Sequence, residues 1–240
     1  MSICSAIARL VRGGSELLLA PSCVLCGVEA ADARLCADCA VLLERNESAC
    51  ARCAEPLPLP TPLCGKCLQQ PPAFDAAWAG YLYRAPFDHL VQRLKFNNAL
   101  AVGRALLPDW SAALREHLST RAEAPPQALI PIPLHQARLR QRGYNQAQEL
   151  ARGLGREFEL PVSSTALSRT RATAPMPGMD LKSRRRNVRG AFAVGAASLP
   201  SRVALVDDVM TSGATLNEAA KTLKRTGVEW VEVWVLSRKP

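Results

Sequence analysis

The sequence predicts an α/β domain, a mostly parallel sheet flanked by helices, preceded by a small cysteine-rich module held together by metal. Three observations carry this. Nine cysteines occur and none lies beyond Cys67, so the two parts of the chain are under different constraints. From Ala76 onward, apolar runs of strand length alternate with stretches of helical periodicity, the pattern of helices packed on a mostly parallel sheet. One of these runs, Val203-Ala204-Leu205-Val206, has no polar interruption, as a strand covered on both faces requires.

Taken in order, residues 1–20 are expected to form an N-terminal helix, on which Cys4 reads as a buried apolar residue. Residues 21–70 hold four Cys-x2-Cys pairs: Cys23 and Cys26, Cys36 and Cys39, Cys50 and Cys53, Cys64 and Cys67. Two thiolates at that spacing converge on one ion from a tight turn, and two such turns complete a tetrahedral site, so eight ligands suit two structural zinc ions. Disulfides would need an oxidising compartment, and a redox Cys-x2-Cys usually occurs once, opening a helix. Sequential and interleaved pairing both satisfy the spacing; the short loops favour the sequential one. So small a segment has few large apolar residues, and zinc must supply much of its folding free energy. Pro56, Pro58, Pro60 and Pro62 stiffen the stretch between the third and fourth pairs, and Pro71-Pro72 marks a linker to a second domain over 71–240.

That domain begins with a strand over Ala76 to Tyr83, then helices over Phe87 to Phe96 and Ala99 to Leu118. A strand over Ala128 to Leu134 carries Pro131 and Pro133, which argue for a strand end that opens into a loop. Asn145 starts a helix whose Ala147, Leu150, Ala151, Leu154 and Phe158 form one apolar stripe. Ala196 to Pro200 reads as a surface turn before the Val203 strand. Leu216, Ala219, Ala220 and Leu223 mark a further helix, stopped by Gly227, and Trp230 to Leu236 is the last strand.

Of the 240 residues, 48% are hydrophobic and 21% charged, which excludes disorder of the whole. No apolar run reaches the roughly 18 residues of a membrane span, and Leu17 to Ala20 is too short for a signal-peptide core, so a cytoplasmic chain is expected. The net charge of +9 fits a polyanionic partner, a nucleic acid or a multiply phosphorylated small molecule, as well as a merely basic protein. Arginines crowd Arg138 to Arg142 and Arg169 to Arg189, whereas residues 21–70 carry four basic side chains against six acidic ones. A nucleic-acid surface would therefore lie on the second domain, and the cysteine module reads better as a site of protein docking.

The chemistry is expected after the Val203 strand. Asp207 and Asp208 stand at its carboxyl end, where open α/β sheets bind ligands. Val209, Met210, Thr211, Ser212, Gly213, Ala214 and Thr215 follow, a loop running directly into a helix. Its amides, the helix dipole and the hydroxyls of Thr211, Ser212 and Thr215 make a phosphate cradle, and Gly213 allows close approach of backbone to oxygen. The two acids suit sugar hydroxyls or a metal, so the loop reads as a binder of a sugar phosphate. An Asp-Asp pair alone also caps a helix. A nucleotide-hydrolase loop, Gly-x4-Gly-Lys-[Ser/Thr], is absent.

These residues resemble the phosphoribosyl-diphosphate (PRPP) motif of type I phosphoribosyltransferases. Leu94-Lys95-Phe96, Pro131 to His135, Arg138 to Gln146, Arg169 to Thr173, Arg186 to Phe192 and the Asp207 loop resemble, more narrowly, the ComF family. That family joins a double zinc ribbon to a phosphoribosyltransferase-like domain and is associated with DNA uptake and competence. The resemblance implies the type I phosphoribosyltransferase fold, with Asp207 and Asp208 on the ribose hydroxyls, Thr211 to Thr215 on the 5′-phosphate, and magnesium on the pyrophosphate. It also implies weaker roles for Pro133, His135, Arg142, Arg169, Arg171 and Lys95 toward pyrophosphate or a second substrate, with the arginine-rich stretch to Arg189 as a lid. No residue must be the general base; His135 and Glu149 are candidates by proximity in sequence, and His135 reads equally as a loop residue with a packing or hydrogen-bonding role. At Met176 the chain departs from the family's usual Gln. Two functions stay open: transfer of phosphoribosyl to a nitrogen acceptor, or a non-catalytic accessory to DNA uptake or recombination. The accessory would bind single-stranded DNA or protein, with the PRPP site a relic or sensor.

Overall fold

The computed structural model describes residues 22–30, 35–95, 99–173, 180–195 and 198–240. The predicted N-terminal helix with Cys4, together with Phe96, Met176 and the start of the turn expected at Ala196, lies outside the described residues. In chain order the elements are α1 (Ala37–Ala40), α2 (Gly65–Gln69), β1 (Ala76–Leu82), α3 (Phe87–Lys95), α4 (Ala99–Ser119), β2 (Ala128–Pro131) and α5 (Gln136–Arg142). There follow α6 (Gln146–Glu157), β3 (Leu167–Arg169), α7 (Leu181–Val188), β4 (Phe192–Val194), β5 (Arg202–Met210), α8 (Ala214–Lys224) and β6 (Trp230–Arg238).

Four strands form a parallel sheet in the order β1-β6-β5-β2. Side chains alternate between its faces, as a period of two dictates. Val203 and Leu205 join one core with Val231, Val233 and the α8 residues Leu216, Ala219, Ala220 and Leu223. Ala204 and Val206 join the other with Trp234, Leu236 and the helices α3, α4 and α6. The run Val203 to Val206 is therefore apolar throughout because both faces are covered.

Three local expectations change. The strand expected to reach Leu134 stops at Pro131, although the amide of Ile132 still donates to the Val206 carbonyl at 2.9 Å. β5 continues past Val206 to Met210, because Asp207, Val209 and Met210 stay in register with Val235, Ser237 and Arg238 of β6; Val209 and Met210 thus belong to the strand. The arginine-rich stretch is no plain loop: β3 and β4 pair antiparallel and enclose α7.

The cysteine module closes the free edge of β1. Arg45 bridges Tyr81 antiparallel, Leu82 donates to the Glu44 carbonyl at 2.9 Å and Ala77 to that of Ala51 at 3.1 Å. Pairing of this kind removes an exposed strand edge. Ala54, only 1% exposed, packs in the main core beside Phe74 and Met210.

Candidate functional site

The eight predicted ligands gather into two groups, Cys23, Cys26, Cys36 and Cys39, and Cys50, Cys53, Cys64 and Cys67, the atoms of each group within 4.8 Å of one another. The pairing is sequential. Sulfur–sulfur separations of 3.8 Å between Cys26 and Cys36 and 3.7 Å between Cys53 and Cys64 match the edge of a tetrahedron whose metal–sulfur bonds are about 2.3 Å. Burial pushes the thiols of Cys39, Cys53 and Cys67 up, Cys53 to about 12. At Cys23 the amides of its own knuckle and of Cys36 outweigh burial and bring it down to about 6. Four thiolates this close coexist only when a cation shares them, and zinc fits both sites.

Asp207 and Asp208 stand at the carboxyl end of β5, beside the end of β2. The Asp208 carboxylate lies 3.3 Å from the Lys95 ammonium at the end of α3 and accepts from Gln146 Nε2 of α6 at 3.5 Å. Arg142 donates in turn to Gln146 Oε1 at 2.7 Å. Asp207 lines a depression with Val209, Met210, Thr211, Ser212, Gly213, Ala214, Thr215 and Leu216. Burial, with the adjacent Asp208 charge, raises its carboxyl well above the usual aspartate range.

The loop leaves backbone donors at a helix start. Gly213 takes φ +70° as the residue preceding α8, and no side chain caps that helix. The amides of the first helical turn are thus left to a ligand or water, at the positive end of the helix dipole. The first intrahelical bond runs from Asn217 to the Gly213 carbonyl at 2.8 Å. A Cβ on Gly213 would sit 3.4 Å from Met210 Sδ and 3.9 Å from the Phe74 ring, so the loop rests directly on the sheet domain's core.

The weaker candidates separate. Pro133 and His135 leave the sheet at the same edge as the acids, and His135 is the N-cap of α5, its Nδ1 accepting from Ala137 at 3.3 Å. That nitrogen is occupied, as the hydrogen-bonding reading of this residue expects. Glu149 pairs with Arg152 at 2.6 Å on the surface of α6. Arg169 stacks over Phe192 at 5.5 Å; burial, and the nearby positive charge of Arg138, lower its pKa, opposed by Asp207. Its Nε is buried without a hydrogen-bond partner among the described residues. Arg171 donates instead to the carbonyls of Asn187 and Arg189, at 3.0 and 2.7 Å, holding the turn after α7. Gly190 donates to the Glu218 carboxylate of α8 at 2.7 Å, so this segment is braced against the helix that follows the Thr211 to Gly213 loop.

Two residues gain a role that the sequence does not assign. Gln146 closes the family-like segment from Arg138 and follows a helix N-cap, where it reads as an ordinary first-turn residue. Arg238, near the end of the last strand, is 7% exposed and lies under the loop.

A family model for the double zinc ribbon domain matches residues 15–68, and one for the phosphoribosyl transferase domain matches residues 139–240. The chain is 39% identical to competence protein F of Haemophilus influenzae over 192 residues, covering 79% of this chain and 84% of that protein. It is 33% identical to the DNA utilization protein YhgH of Escherichia coli K12 over 208 residues, covering 85% and 90%. Competence protein ComFC of Streptococcus pneumoniae is 26% identical over 216 residues, covering 86% and 89%.

Proposed function

The chain belongs to the ComF family, with competence protein F and YhgH, and from that premise we propose that it binds PRPP with magnesium and transfers phosphoribosyl to a nitrogen acceptor in the context of DNA uptake. One observation carries the reading: two acids lie near the carboxyl end of a buried parallel strand, and the uncapped start of α8 follows after three intervening residues, the last of them Gly213. A 5′-phosphate bound by the amides and hydroxyls of Thr211 to Thr215 places its ribose over the acids, where Asp207 and Asp208 accept from the two ring hydroxyls. Lys95 holds the Asp208 carboxylate in place. Bound magnesium supplies charge to the pyrophosphate leaving group. The loop after β2 leaves the same sheet edge and offers the amides of Leu134 and His135 there, and Arg169 lies near enough to Asp207 to feel its charge. Displacement at an anomeric carbon asks for positioning and charge stabilisation rather than a protein nucleophile, which suits a site without an activated side chain.

A protein-docking role of the ribbon is favoured by a separate observation. Val28, Val41, Leu42, Leu59 and Leu68 are between 54% and 82% exposed, and all lie on the zinc module. Single-stranded DNA, the alternative ligand, would meet the basic helices α5 and α7 instead. The test is PRPP binding with and without magnesium, beside single-strand binding across a salt series. Magnesium-dependent PRPP binding lost in Asp208→Asn, with any DNA binding intact, supports the enzyme reading. Absence of PRPP binding together with submicromolar, steeply salt-dependent DNA binding supports the accessory.

A further inference from the structure

Arg238 carries no role in the site just described, yet it joins the second zinc site to the phosphate loop. Its Nε donates to the Cys53 carbonyl at 3.3 Å and one of its Nη groups to the Met210 carbonyl at 3.1 Å. The same nitrogen also donates to the carbonyls of Thr211 and Lys239, and the other Nη pairs with the Glu55 carboxylate. Cys53 is a zinc ligand, and Glu55 closes the same knuckle, its carbonyl accepting from the Cys50 amide at 2.9 Å. A buried guanidinium needs both a counter-charge and acceptors for its planar fork of donors. Here the zinc knuckle supplies the charge and the phosphate loop supplies the acceptors.

Peptide geometry gives the consequence. In a planar trans peptide the carbonyl and the following N–H point in opposite directions. With the Met210 and Thr211 carbonyls turned down onto Arg238, the amides of Thr211 and Ser212 are turned away from it, on the ligand side of the loop. We infer that Arg238 is a positioning residue that orients the phosphate-binding amides, and that the folded second zinc site holds it in place through Glu55. Loss of zinc at Cys50, Cys53, Cys64 and Cys67 then loosens the loop without touching a ligand-contacting residue. The effect on ligand affinity rests on the PRPP reading; the effect on the loop does not.

The test reads the loop without ligand. Amide hydrogen exchange is followed at Asn217, bonded to the Gly213 carbonyl, and Lys239, bonded to the Met210 carbonyl, in zinc-loaded wild type, Arg238→Met, Arg238→Lys and Glu55→Gln. Zinc content is measured in parallel. Exchange at both amides is expected to rise about fivefold or more in Arg238→Met and Glu55→Gln, with Ala204 to Val206 unchanged and both zincs retained. Arg238→Lys, which keeps the charge but not the fork, is expected to restore Glu55 pairing and only part of the protection. Affinity for magnesium–PRPP is expected to fall roughly five- to twentyfold in the same variants. Should Arg238→Met fail to fold, Glu55→Gln decides, because the backbone of the knuckle is left intact. Unchanged exchange at Asn217 and Lys239 in zinc-loaded Glu55→Gln overturns the inference. A wild type that binds no PRPP overturns the phosphoribosyl reading, while the exchange result still judges Arg238.

Discussion

Asp207 and Asp208 follow one another in β5, yet among the described residues only Asp208 has a cation within ion-pair distance. Asp207 is instead raised by burial and by its neighbour's charge. Between the unfolded and the raised folded value, the folded chain binds more protons than the unfolded one, so stability falls as pH rises through that window. Above the ordinary aspartate range Asp207 therefore costs stability that Asn would not. Asp207→Asn is expected to melt a few degrees higher than wild type in zinc-containing buffer by scanning calorimetry while losing sugar-phosphate binding, the trade of a strained site against stability. Lys95→Met has the opposite sign. It leaves Asp208, 5% exposed, without its cation, at an expected cost of roughly 1–3 kcal/mol in urea unfolding. That is less than a fully buried pair would lose, because the Lys95 side chain is 28% exposed. The two acids and the loop were legible in the sequence because they are contiguous. Lys95 is there only a weaker candidate toward pyrophosphate or a second substrate, Gln146 only the last residue of a family-like segment, and Arg238 carries no signal at all. Their meaning comes from tertiary approach across as many as 185 residues of chain, which no local pattern encodes.

The elements that bury an apolar face are legible: α3, α6, α8, β1 and β6 sit where the sequence puts them, whereas β2 ends earlier and β5 later than expected. Strands β3 and β4, three residues each, are too short to show a period of two. Helix α5 buries no residue, so no apolar stripe announces it; its His135 cap and Gly143 stop are its only local signals. The end of β5 was drawn short because polarity begins at Asp207, whereas the ladder to β6 is set by backbone and continues beneath the acids. At Gly213 the element itself is testable. With φ +70°, an alanine there is expected to cost about 1 kcal/mol from backbone strain alone. It is also expected to weaken phosphate-loop binding, both read by denaturant unfolding and by PRPP titration of Gly213→Ala. Undiminished affinity would show that close backbone approach at this residue is not required.

At the scale of the molecule, the zinc module pairs with β1, inserts Ala54 into the main core and meets the phosphate loop through Arg238. The four Cys-x2-Cys pairs revealed the metal chemistry from spacing alone, but their spacing could not show that the module completes the sheet. About two zinc ions per chain are expected by metal analysis of protein purified without chelator, and a content near zero would contradict both sites. Chelation is expected to lower the melting temperature of the whole chain rather than release an independent small transition, since the edge of β1 loses its partner. Among the described residues no helix is long and apolar enough to cross a membrane.

The site itself is tested most directly by calorimetric titration of magnesium–PRPP into the zinc-loaded wild type and into the double variant Asp207→Asn, Asp208→Asn. Saturable binding near one ligand per chain in the wild type, abolished in a double variant that still holds both zincs, is the expected result. No heat of binding to the folded, zinc-loaded wild type would contradict the sugar-phosphate site at β5 and α8 and turn the search to DNA and protein partners.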